Sequence, residues 1–135
     1  MSLSESKKRK LIEVFKKYGL LCAYLFGSQA NGKAHQNSDF DLAVRFSKNL
    51  SIRQLLSLSD ELGKILDSEV DLLDLDTAPL QIQFRVFKER QMLYAKNLAG
   101  ELLLRASTLS LYFDYKYYFD RYTELEMQII LKKGL

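Results

Sequence analysis

Two apolar stretches limit what this chain can fold into. LLCAYLF, residues 20–26, is a continuous run of strand length that stops at Gly27. A run of that length and composition reads as a buried strand. DFDLAVRF, residues 39–46, alternates instead. Phe40, Leu42, Val44 and Phe46 fall on one side of an extended chain, and Asp39, Asp41, Ala43 and Arg45 on the other, because successive strand side chains point to opposite faces. EVDLLDL (69–75) supplies a third strand, and QMLYA (91–95) a short edge strand.

The segments between them read as helices. Leu11, Val14, Phe15 and Tyr18 recur at helical spacing over residues 4–18, with Gly19 as the stop. The KKRK run at 7–10 lies within this helix and reads as a solvated face. Ser51 opens the next helix with Gln54 as capping-box partner, and its expected apolar stripe is Ile52, Leu55, Leu56, Leu62, Ile65 and Leu66. Thr77-Ala78-Pro79 begins a helix to about Lys88, since proline suits a first turn. The polar stretch from Ser28 to Ser38, with Gly32 and Asn37, reads as a short helical turn plus loop. From Glu101 to about Lys132 the pattern is helical again.

The expectation is one αβ domain over residues 1–135, with a core at about 11–95 and a helical tail at about 101–132. Of the 135 residues, 47% are apolar and 27% charged, which places the chain among globular proteins. The net charge of +3 is spread among seventeen acids, so no large basic face is expected, which counts against nucleic acid as a partner. Cys22, the single cysteine, excludes an intrachain disulfide and reads as a small buried hydrophobe. No signal-peptide pattern opens the sequence and no run approaches the ~20 apolar residues of a membrane span. The expected location is the cytoplasm.

Asp39 and Asp41 stand about 7 Å apart on one face of their strand. Without a cation they repel, and one of them tends to hold a proton. A magnesium ion reverses that preference, because a hard divalent ion takes oxygen ligands. Beside them, a strand that ends in Gly27-Ser28 and leads into a helical turn is a natural phosphate cradle, where backbone N–H groups can approach an anion. Asp71, on a neighbouring strand, completes a cluster able to hold two metals.

The spacing G-S-x10-D-x-D, met by Gly27, Ser28, Asp39 and Asp41, resembles the signature of the DNA polymerase β-like nucleotidyltransferase superfamily. The compact length and EVDLLDLDTAPL resemble its minimal nucleotidyltransferase (MNT) branch. The resemblance covers about residues 11–95. It implies an α/β (α+β) fold with a small mixed sheet flanked by helices, two Mg²⁺ ions and a nucleoside triphosphate, usually ATP. It further implies that Asp39 and Asp41 ligate both metals, that Asp71 ligates one, and that Gly27-Ser28 hold the triphosphate.

The family pattern favours Asp71 over Asp74, which should face the other side of its strand. Many relatives carry an arginine just after Gly-Ser, where this chain has Asn31, so Lys33 or Arg45 would have to serve as the phosphate-pairing cation. His35, in the same loop, reads as a surface residue. In the implied reaction an acceptor hydroxyl attacks the α-phosphorus of ATP and pyrophosphate leaves.

The tail LSLYFDYKYYFDRY, 109–122, holds seven aromatic residues. Leu111, Tyr115, Tyr118, Tyr122, Leu125 and Ile129 form a stripe of the kind used in ordinary core packing. Tyr112, Phe113, Tyr117 and Phe119 spread beyond it, while Asp114, Arg121, Glu124 and Gln128 mark a polar side. That much aromatic surface suits a protein interface, with a homo-oligomer through the tail as one form of it. The adjacent acids count against stacking on single-stranded bases. Resemblance to the MNT branch implies a partner, a small helical HEPN-domain toxin, with AMP transferred to one of its tyrosines by the antitoxin. Two alternatives stay open: a nucleotidyltransferase for a small molecule such as an aminoglycoside or for a nucleic-acid 3′ end, and a non-catalytic antitoxin that only binds.

Overall fold

The computed structural model describes residues 3–26, 40–89 and 91–133. Helix α1 spans Glu5–Lys17; Ser4 caps it by accepting the Lys7 N–H, and Lys16 and Lys17 lie in its last turn. Gly19 follows at φ +71°, a left-handed conformation that glycine adopts without a Cβ penalty. Its carbonyl accepts both the N–H and the hydroxyl of Ser47, which ties the start of the first strand to the end of the second.

Strands β1 (Leu20–Phe26), β2 (Phe40–Phe46), β3 (Val70–Asp74) and β4 (Gln91–Ala95) form one sheet in the order β3-β2-β1-β4. The β1–β2 and β1–β4 pairs are antiparallel, and β2–β3 is parallel. A parallel pair needs a crossover, and α2 (Ile52–Leu66) supplies it. Ser51 and Gln54 form the expected capping box, and Asp67 closes the helix in the left-handed conformation. Helix α3 spans Leu80–Glu89, and α4 spans Leu98–Lys132 with Asn97 as its cap. The mixed sheet with flanking helices bears out the expected α+β fold.

Each face of the sheet has its own core. On one, Leu11 and Phe15 of α1 and Leu58, Leu62 and Leu66 of α2 pack on Leu25, Phe40, Leu42 and Val44. On the other, Cys22, Tyr24 and Ala43 meet Leu75, Val86 and Phe87, with Leu73, Met92 and Leu109 around them. The α2 stripe differs from the expected one. Ile52 and Leu56 are exposed, at 78% and 63%, whereas Leu58 is fully buried. Leu56 precedes Leu58 by two residues, about 200° around the helix, so the two cannot share a face.

The tail differs more. Tyr112 stacks on Phe84 of α3 with ring centroids 3.9 Å apart, and Glu101 and Thr108 are buried. From Leu111 onward, however, Tyr115, Tyr118, Tyr122, Leu125 and Ile129 are all exposed. The stripe expected as core packing is not core. The reason is length: 35 residues give a helix of about 52 Å, whereas a seven-residue strand spans about 23 Å. The helix outruns the sheet it packs on. No helix among the described residues is long and apolar enough to cross a membrane.

Candidate active site

The register of β2 and β3 sets Asp41 directly beside Asp71. Neighbouring strands lie about 4.8 Å apart, and register partners share a face. That face is the one on which Ala43 and Leu73 pack. Asp41 is half-buried and Asp71 exposed. Two like charges at adjacent positions destabilise a sheet unless a cation lies between them. Their oxygens are the hard donors a divalent magnesium ion prefers, so the pair fits such an ion. Among the described residues no third His, Cys, Asp or Glu joins a metal-sized group.

On its other side β2 pairs with β1, and Asp41 faces Phe26, the last residue of that strand. Strand β1 therefore ends level with Asp41, and Gly27 is the next residue in sequence. Gly27, Ser28, Asn31, Lys33, His35 and Asp39 themselves lie outside the described residues.

Asp74 is occupied elsewhere. It is level with Val44, on the opposite face from Asp71. Its Oδ1 accepts the Asp76 N–H at 3.0 Å, and its carbonyl accepts the N–H groups of Thr77 and Ala78. It builds the turn into α3, which leaves Asp71 as the β3 acid beside Asp41. An open cleft of about 480 Å³ runs along the β3 edge, lined by Lys64, Asp67, Glu69 and Asp71 among others.

Arg45 is not available to a phosphate at this place. Its Nε donates to Asp76 Oδ1 at 3.1 Å and its Nη1 donates to Glu101 Oε1. It also stands four residues beyond Asp41, about 13 Å along the strand. Burial works to lower the Arg45 pKa, but the Asp76 and Glu101 carboxylates outweigh it and the net shift is upward. Glu101, only 5% exposed, brings the first turn of α4 onto β2 through this pair. Burial pushes the Cys22 thiol far above its usual range, and the Glu101 carboxylate beside it adds to the rise. Cys22 is therefore no nucleophile, in keeping with its reading as a buried hydrophobe. This cluster is not among the residues expected from the sequence. The available signal was an arginine on the same strand face as Ala43, with a glutamate in the opening turn of the tail helix.

A family model described as polymerase β, nucleotidyltransferase matches residues 9–99. The chain is 34% identical over 89 residues to a protein of Methanocaldococcus jannaschii provisionally assigned as a protein adenylyltransferase, covering 66% of this chain and 95% of that one. It is 36% identical over 89 residues to the protein adenylyltransferase MntA of Shewanella oneidensis, covering 66% of this chain and 63% of that protein. A crystal structure of a toxin–antitoxin with AMP-PNP contains a similar chain, with a TM-score of 0.71 and 30% identity over 89% of this chain and 98% of that one.

Proposed function

The chain belongs to the polymerase β nucleotidyltransferase family, and on that premise we propose that it transfers AMP from ATP to a tyrosine hydroxyl of a helical HEPN-type toxin, acting in the cytoplasm as the antitoxin of the pair. The observation that carries this reading is the register of Asp41 and Asp71, two carboxylates side by side at the sheet end where β1 finishes. Asp41 and Asp71, with Asp39, are the residues that would hold two magnesium ions. When bound, such ions neutralise charge at the phosphates and lower the pKa of an attacking hydroxyl.

The chain's own residues then have distinct tasks. Gly27 and Ser28 offer backbone and hydroxyl donors to the triphosphate. Lys33 is the remaining candidate cation for it, since Arg45 is held by Asp76 and Glu101. The rigid β2–β3 pair fixes the acids relative to each other, which is the positioning that phosphoryl transfer mainly requires. The whole chain, 1–135, acts as one nucleotidyltransferase domain, in which the core at about 11–95 carries the chemistry. The tail at about 101–132 presents the aromatic and aliphatic surface of α4 to the partner, where its burial would be favourable.

Co-expression with a helical HEPN-type protein, followed by intact-mass measurement of that protein, tests the reading. AMP additions that disappear with Asp41→Asn are expected. A tight complex whose partner keeps its unmodified mass would show a binder without transferase activity and overturn it.

A further inference from the structure

The projecting half of α4 carries Tyr115, Tyr117, Tyr118 and Tyr122, all exposed. Three have a local engagement. The Tyr115 hydroxyl accepts from Gln81 Nε2 at 3.3 Å, the Tyr117 ring faces the Arg121 guanidinium, and the Tyr122 hydroxyl donates to Glu126 Oε1 at 3.3 Å. Tyr118 is the most exposed of the four, at 70%. Among the described residues its ring meets that of Tyr117 at near right angles, and no hydrogen bond engages its hydroxyl. A phenol presented in this way on a rigid helix is an acceptor of the same chemical class as the one in the reaction above.

Resting on that transferase reading, we propose that Tyr118 is itself an acceptor for adenylyl transfer, served by the Asp41–Asp71 site of a second copy of this chain. The topology favours another copy's site over the chain's own. Asp41 and Asp71 lie at the beginnings of β2 and β3. Helix α4 instead starts just after Ala95, which pairs with Cys22 near the beginning of antiparallel β1, at the opposite end of the sheet. The contact of Tyr115 with Gln81, in the first turn of α3 after β3 has ended, keeps the helix at that far end. Tyr118 is one turn further along. Tyr118 stands midway along α4 on an exposed stretch of the helix, where another molecule's site can reach it.

In the step, the Tyr118 hydroxyl oxygen attacks the α-phosphorus of ATP. The new bond joins the phenolic oxygen to that phosphorus. The bond from the α-phosphorus to the bridging oxygen breaks, and pyrophosphate leaves with the electron pair. The phenolic proton passes to solvent, and tyrosyl-AMP remains on the helix.

The test uses full-length chains. Wild-type protein is mixed with ATP, magnesium and an isotopically heavy acceptor chain carrying Asp41→Asn, which can be modified but cannot catalyse. A second acceptor carries Asp41→Asn and Tyr118→Phe. A parallel reaction replaces the acceptor with the helical HEPN-type partner. Peptide mapping is expected to find AMP on Tyr118 of the first acceptor and none at that peptide of the second. A modified partner with an unmodified acceptor chain, or AMP only at other positions, would overturn the inference and leave the transferase reading standing. If neither the partner nor the acceptor is modified, both fall.

Discussion

Replacing Glu101 with glutamine should loosen α4 from the sheet and cost much more than a surface substitution. Glu101 has a side chain 6% exposed, while Arg45 is 19% and Asp76 54% exposed. Breaking a fully buried ion pair costs about 3–5 kcal/mol because the remaining charge is stranded, whereas exposed pairs are worth about 0–1 kcal/mol. Arg45 keeps Asp76 as a partly solvated partner, so the loss should lie between these limits, at about 2–3 kcal/mol. For a chain of this size that corresponds to a fall in Tm of roughly 6–12 °C.

Urea denaturation followed by circular dichroism would measure it, with Arg45→Met and the double variant completing a cycle. The pair should couple by more than about 1 kcal/mol. Removing the carboxylate should also bring the Cys22 thiol down toward its usual range, since Glu101 is one of the groups raising it. A loss under about 0.5 kcal/mol, the range of ordinary surface changes, would refute the assignment of this pair as the anchor of α4.

The α2 face makes a sharper stability contrast: Leu62→Ala should cost about 2–5 kcal/mol, and Leu56→Ala should fall within about ±0.5 kcal/mol, both by urea denaturation. Glu61 accepts from Tyr18 and pairs with Lys17 at 2.9 Å, and these contacts hold its carboxyl below the usual range. A depressed carboxyl contributes stability above its unfolded pKa of about 4.3, and loses it as pH falls through the folded value. The urea midpoint of wild type should therefore fall more between pH 6 and pH 3, both of which are about 1–2 units from that pKa, than that of Glu61→Gln; equal falls would contradict the contact.

Much of the fold was legible because its signals are local. LLCAYLF ends where β1 ends, Ser51 and Gln54 form the capping box their spacing implies, and alternation in β2 sorts Phe40, Leu42 and Val44 from Asp41. The pairing of Asp41 with Asp71 is different in kind. It depends on the β2–β3 register, which α2 and the two flanking turns set together, and periodicity within either strand does not contain it. The buried face of α2 is not legible in its pattern because leucines crowd both sides of that helix, and packing against the sheet and α1 decides which side is buried. The fate of the aromatic tail was hidden for a geometric reason. Composition marks Tyr115, Tyr118 and Tyr122 as apolar enough for a core, but helix length carries them beyond it.

The central claim is that Asp41 and Asp71 are set side by side to bind a nucleoside triphosphate through magnesium. Isothermal titration of AMP-PNP into the protein, with and without magnesium, tests it most directly. Binding is expected only with magnesium, and Asp41→Asn or Asp71→Asn should each weaken it by about tenfold or more, about 1.4 kcal/mol. Equal affinity without the metal, or unchanged affinity in both variants, would contradict it.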